Sequence, residues 1–273
     1  MKWFASAALA LLVACRFQVA NYEDPRTGAA ANAAPHHHRD DAVDLDADEK
    51  EIEPEHPAVR TPQERVLAHL HTPRGTCSGA VVSDRLVVTA HHCLNDAILG
   101  VVPVTDRDSY RVEIASSTLT WTVRRVTHVI APSCEWSKLD AAVLVLDEPV
   151  PWVAPLRWGT VPSPGAKIQA LGFGRCRGET RSLSQRTGVV VTRASDALMF
   201  DVAMCRGDVG GIVVDASASL LGIISHQDDP GGAPQRTTTA FRLDTTRARR
   251  LVEVAGAVAR GESAASQQPV TCE

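Results

Sequence analysis

The stretch Cys205-Arg206-Gly207-Asp208-Val209-Gly210-Gly211 decides how this chain is read. It packs three glycines around one acid and one valine, and a short apolar run, Gly211 to Val214, leaves it. Working outward, two upstream stretches precede it. The first is Thr89-Ala90-His91-His92-Cys93; the second is Leu139-Asp140-Ala141-Ala142-Val143-Leu144-Val145-Leu146. Each has a bland reading when taken singly. A histidine before a cysteine is a turn residue, and an Asp ahead of an apolar run is a strand-start residue. Their order, histidine, then acid, then glycine-rich loop, gives them meaning together.

The surroundings read as β-structure. Candidate strands are Arg65 to His71, Gly79 to Val82, Arg85 to Thr89, Gln169 to Phe173, Thr187 to Thr192, Gly211 to Val214 and Leu220 to Ser225. Short apolar runs separated by turn residues predict an all-β barrel or sandwich. One helical pattern closes the chain: Leu243-Asp244-Thr245-Thr246 offers a cap, and Val252, Val254, Ala255 and Val258 follow. There is no internal repeat.

These motifs, in this order, resemble the trypsin/chymotrypsin-like serine peptidases, peptidase family S1. The loop resembles that family's Cys-x-Gly-Asp-Ser-Gly-Gly, with Val209 where the family has its nucleophilic serine. Thr89 to Cys93 resembles Thr-Ala-Ala-His-Cys, so the resemblance gives His92 the role of base. Asp140 matches the buried carboxylate that orients it. Cys77-Ser78-Gly79 resembles Cys-Gly-Gly, which implies a Cys77–Cys93 disulfide; closing that loop stabilises by about 3 kcal/mol in the chain-entropy model. Ala170-Leu171-Gly172-Phe173-Gly174 resembles the opening of the family's second barrel, and Leu221-Gly222-Ile223-Ile224-Ser225 its substrate-pairing strand. The resemblance covers about 59–261 and implies two six-stranded antiparallel β-barrels with a C-terminal α-helix and the site in the cleft between them. It implies an oxyanion hole from the N–H groups of Gly207 and Val209, and substrate contacts at Ala203, Ser225, His226 and Gln227.

The departures from the family pattern carry the functional reading. Valine has no lone pair and no proton to give, so His92 has no hydroxyl to activate. Ser217 and Ser219 follow the loop at the wrong register, and Ser225 belongs to the substrate strand. No Ile-Val-Gly-Gly-like start precedes Cys77, so Asp208 lacks the amine that pairs with it in activated members. The loop is then either unformed or held by other contacts, and a Val209→Ser revertant is expected to be inert or weak. Ala203 stands where trypsin-like members have a pocket-floor aspartate, so no preference for Lys or Arg is expected.

The 273 residues suffice for this domain plus extras, and the net charge of -4 points away from a nucleic-acid partner. Lys2 followed by the apolar run Phe4 to Ala14 reads as a secretory signal, too short for a bilayer span of about 20 residues. Its end, Leu12-Val13-Ala14-Cys15, resembles a bacterial lipobox with Cys15 as the lipidated residue; the bland alternative is a plain signal peptide. Residues 16–58 are acidic and aperiodic, and read as a disordered tether. His36-His37-His38 within it reads as a solvated tract rather than a metal site. Residues 262–273 form a C-terminal tail.

Seven cysteines less Cys15 leave six, an even number in an exported chain. Six allow fifteen pairings, so spacing does not choose among them. Beyond Cys77–Cys93, Cys176 and Cys205 both fall in the implied second barrel and are paired with each other. In the family the terminal helix packs on the first barrel, so Cys134 is paired with Cys272. The sequence reading is therefore an exported, membrane-anchored S1 homologue of the bacterial cell envelope, or alternatively a secreted one. It is catalytically inactive and binds a peptide or protein ligand, with no cofactor or metal expected. The alternative is a serine endopeptidase.

Overall fold

The computed structural model describes residues 59–95, 97–116, 120–135, 137–174, 183–205, 207–226 and 237–272. The chain divides into two units, 1–51 and 52–273, and the first lies outside the described residues. The second opens with α1 (Pro62–Arg65), not with the strand expected from Arg65. Thr61 and Glu64 explain the difference. Each side chain satisfies the other's backbone N–H in a capping box, with proline in the first turn where its missing N–H costs nothing.

The strands follow as β1 (Leu67–Thr72), β2 (Gly75–Ser83), β3 (Leu86–Thr89), β4 (Val101–Pro103), β5 (Arg111–Ala115), β6 (Trp121–Ile130) and β7 (Ala142–Leu146). They pair in the order β4-β6-β5-β1-β2-β3-β7, and a further β6–β7 pairing closes six of them into a barrel with β4 on its edge. The second barrel is β8 (Lys167–Gly172), β9 (Ser184–Arg193), β10 (Ala197–Phe200), β11 (Ile212–Asp215), β12 (Leu220–His226) and β13 (Thr238–Arg242), closed in the order β10-β13-β12-β11-β8-β9. The expected architecture of two antiparallel six-stranded barrels is present.

Two buried clusters explain the sequence pattern. Ile168, Ala170, Val190, Leu198, Phe200, Val213, Leu221 and Ile224 fill the second barrel. Leu171, Ile212, Val214 and Ile223, from the same strands, join the larger cluster built on the first barrel. Strands β8, β11 and β12 are thus apolar on both faces, which is why Leu220-Leu221-Gly222-Ile223-Ile224 shows no alternation.

The closing helix is α2 (Thr246–Ala259), capped by Thr245, whose hydroxyl accepts from Ala248 N at 3.1 Å. It buries Ala248, Leu251, Val254, Ala255 and Val258 against β3, β6 and β7 of the first barrel. Each of the larger side chains contributes about 2 kcal/mol by burial. The tail beyond it is pinned: Ser133 N donates to Val270 O at 2.8 Å, and Cys134 and Cys272 form a disulfide. This is the staple expected from the sequence.

Candidate active site

Strand pairing brings the two distant polar motifs together. In the β3–β7 register Thr89 lies opposite Ala142, so the residues just after β3 and just before β7 meet at one barrel edge. There a short helical turn, His91–Cys93, carries His92, and Asp140 precedes β7. His92 Nδ1 donates to Asp140 Oδ2 at 2.7 Å, and its backbone N–H donates to Asp140 Oδ1 at 2.9 Å. Ser225 Oγ, from β12 of the other barrel, donates to the same Oδ2 at 2.5 Å. Asp140 is buried, with three donors converging on it. An imidazole that donates from Nδ1 holds its lone pair on Nε2, which is the form a general base needs. The sequence reading had given Ser225 to substrate alone and missed this contact. A serine at the end of an apolar strand gives no local signal of a partner 85 residues away.

His91 faces the other way. It is fully buried, Nε2 donates to Ile98 O at 2.8 Å, and Nδ1 has no partner among the described residues.

The 205–211 loop is tied at both ends. Asp208 N donates to Cys205 O at 2.9 Å, Gly211 N to Asp208 O at 2.8 Å, and Gly210 N to Ile224 O at 2.7 Å. Gly207 and Gly210 sit at φ +98° and +82°, which L side chains rarely adopt, and a Cβ on Gly210 would overlap Ser78 O. Ser78 joins the loop to the first barrel. Its N–H donates to Val209 O at 2.7 Å, and its hydroxyl donates to Gly207 O at 2.8 Å while accepting from Phe173 N at 2.8 Å. Cys93 Sγ lies 3.9 Å from Val209 O, which puts Val209 beside the turn that carries His92. Val209 itself is half-buried, and the N–H groups of Gly207 and Val209 have no acceptor among the described residues.

Asp208 is held by other contacts, which decides between the alternatives left open by the sequence. It is fully buried. Oδ1 accepts from Gly174 N at 2.6 Å and Ser184 Oγ at 2.5 Å, and Oδ2 accepts from Cys205 N at 2.7 Å. Burial pushes the carboxyl above its ordinary value. The Ser184 hydroxyl, the N–H groups of Cys205 and Gly174, and the nearby Arg186 charge pull against that. A Cβ on Gly172 or Gly174 would overlap Asp208, so the Gly172-Phe173-Gly174 turn is shaped to admit the carboxylate. The described contacts thus anchor the loop inside the second barrel through Gly174, Ser184 and Cys205.

Of the remaining expected site residues, Ala203 is half-buried before the loop, and His226 ends β12 opposite Thr239 of β13. A cavity of about 350 Å³ flanks Asp140 and Ser225, lined also by Lys138, Asp196, Thr239 and Phe241. The Cys77–Cys93 disulfide is present with an S–S distance of 2.02 Å. Cys205 is disulfide-bonded. Its expected partner Cys176, like Gln227 and Cys15, lies outside the described residues.

Two closed antiparallel barrels, a His–Asp pair on one and an anchored Gly-Asp-x-Gly-Gly loop on the other, define the chymotrypsin-like class of fold. The Trypsin family model matches residues 55–247, and the chain belongs to that family. Among solved structures, a Glu endopeptidase in complex with MPD is similar at 18% identity and TM-score 0.54, over 71% of this chain and 91% of that one. A scabies mite inactivated protease paralogue, S-D1, is similar at 13% identity and TM-score 0.58, over 78% of this chain and 98% of that one. At these identities the likeness is one of fold. No curated protein gives a match.

Proposed function

We propose that this trypsin-family domain is a non-catalytic homologue that retains the base and its orienting acid and lacks the nucleophile. Val209 carries the reading. It follows the anchored Asp208 where an attacking hydroxyl belongs, and an isopropyl group offers nothing that His92 could deprotonate. This reading assigns ligand contact to Ala203, Ser225, His226 and Gln227, as the family resemblance implies, and the ligand is a peptide or protein segment held without cleavage. Retention of His92 and Asp140 has a structural account. Asp140 links the turn after β3 to Ser225 of the second barrel, so the pair contributes to inter-barrel packing.

The test is hydrolysis of peptide and activated ester substrates by the purified chain, beside a His92→Ala control. Indistinguishable rates are expected. Wild-type turnover that depends on His92 would make the protein a serine endopeptidase with another nucleophile.

The same proposal places the chain outside the cytoplasm, held to a membrane by lipid on Cys15 and reaching out through the acidic 16–58 segment. More than one acyl chain gives stable anchoring, whereas one alone is marginal. The expected result is detergent-phase partitioning of the native protein, with loss of the acyl mass in Cys15→Ala. A freely soluble native protein with an unmodified N-terminus would refute the anchor.

A further inference from the structure

Outside the candidate active site, β1 and β5 bring together a second cluster of chemically competent side chains. His69 and His71 are two residues apart on β1 and so share one face. The β1–β5 register sets His69 opposite Glu113 and His71 opposite Arg111. His69 Nδ1 lies 3.0 Å and His71 Nε2 3.1 Å from one carboxylate oxygen, Glu113 Oε2. The three ligand atoms all fall within 4.8 Å of one another. Glu113 is buried and the histidines are half-buried, so the carboxylate sits at the bottom of the cluster and the imidazoles at its mouth.

The contacts within the cluster conflict. Arg111 Nη2 lies 3.3 Å from His71 Nε2. A guanidinium has only donors, so this contact needs a lone pair on Nε2. The carboxylate oxygen 3.1 Å from the same nitrogen is an acceptor, and that contact needs a proton on it. One nitrogen does not do both. A cation seated between Nε2 and Oε2 satisfies both lone pairs at once. Ligand atoms about 2.0–2.1 Å from a tetrahedral metal are ~3.3 Å apart; the two nitrogen–oxygen separations here are close to that, at 3.0 and 3.1 Å, and the two nitrogens lie within 4.8 Å of each other.

We propose that His69, His71 and Glu113 form a binding site for one divalent transition-metal ion of the zinc class, with a coordination position left for water. Two imidazoles and a carboxylate favour zinc over magnesium or calcium, which prefer oxygen ligands. The ion ties β1 to β5 on the face where the His69 ring lies against Phe173, with centroids 5.4 Å apart. Phe173 is the residue whose N–H reaches Ser78, so the site braces the joint between the first barrel and the 205–211 loop. Arg111 Nη2 also lies 3.0 Å from Glu113 Oε1, and its half-exposed side chain gives up that ion pair and swings toward solvent when the ion enters.

The experiment is a calorimetric Zn²⁺ titration of the purified chain carrying His36→Ala, His37→Ala and His38→Ala, which removes the competing histidine tract. One equivalent of Zn²⁺ is expected to bind and to raise the thermal midpoint. His71→Gln, a partly exposed change with little risk to folding, should weaken binding by more than the about 10- to 100-fold that loss of an outer partner costs. Arg111→Ala should bind more tightly, because it removes a competing cation. Co²⁺ should give the visible d–d absorption of a tetrahedral nitrogen–oxygen site in the parent protein and not in His71→Gln. No Zn²⁺ binding, or binding that His71→Gln and His69→Gln both leave unchanged, would overturn the proposal.

Discussion

Val209→Ser is expected to convert this protein into a His92-dependent esterase. Three local conditions for activity are already in place. The imidazole is oriented by Asp140 at 2.7 Å, Asp140 is fixed by Ser225, and the loop that would carry the hydroxyl is held by Asp208 and Ser78. Serine is smaller than valine, so it fits the site without displacing a neighbour. The expected gain in ester hydrolysis over wild type is about 10³-fold, well inside the ~2 × 10⁶ that separates a full triad from one without its serine. Adding His92→Ala to the revertant should abolish the gain. This reverses the expectation from sequence, which anticipated a weak revertant because Asp208 had no terminal amine to pair with. The neutral donors of Gly174, Ser184 and Cys205 hold the Asp208 side chain in place. A revertant that binds peptides but stays inert would mean that the N–H groups of Gly207 and Val209 do not meet the developing oxyanion, a contribution of several kcal/mol.

Asp208→Ala should produce the largest loss of stability of any substitution near the site. It removes one acceptor group from the buried Gly174 N–H, the part-buried Cys205 N–H and the buried Ser184 hydroxyl, and it leaves a void beside the Gly172-Phe173-Gly174 turn. Each buried donor left without a partner costs about 1–3 kcal/mol, and relaxation recovers part of this, so the expected total is about 3–5 kcal/mol in urea unfolding. The pH dependence has a defined sign. Burial raises the Asp208 carboxyl, so the folded chain holds its proton more tightly than the unfolded chain does. Its contribution is fully present below the ordinary carboxylate range and declines as pH rises through the folded value. The gap between wild type and Asp208→Ala should therefore be widest at acid pH and narrow across that window. A gap that widens with pH would show that the hydrogen bonds and Arg186 outweigh burial.

Much of the fold was legible because it is written locally. The order of His92, Asp140 and the glycine-rich loop, and the Cys77–Cys93 pair, follow from short motifs. The Cys134–Cys272 staple was implied by the resemblance, through where the family's terminal helix packs. The strands buried on two faces were found as apolar runs. The polar strands were not: β5 carries Arg111 and Glu113, and much of β6 is half-exposed, so neither stands out by hydrophobicity. The strand expected from Arg65 begins two residues early, on the last residue of the helical turn that Thr61 and Glu64 fix.

The contacts that anchor the site were illegible for another reason. Ser184, Asp208 and Gly174 meet only because β9 and β11 both pair with β8, whose turn follows at Gly172. Ser78, which replaces a glycine of the family pattern, reads as a neutral small residue until its hydroxyl is seen between Gly207 O and Phe173 N. His69, His71 and Glu113 likewise become neighbours only through the β1–β5 register. Cross-strand registers of this kind are set by whole-barrel closure, not by nearby sequence.

The central claim is that the chain has a base and an anchored loop but no nucleophile at residue 209. The most direct measurement is intact-protein mass spectrometry after incubation with a serine-directed phosphonate, on wild type and Val209→Ser in parallel. The account predicts an unmodified wild-type mass and a single adduct on the revertant that maps to residue 209. A stoichiometric adduct on the wild-type protein, lost in His92→Ala, would contradict it.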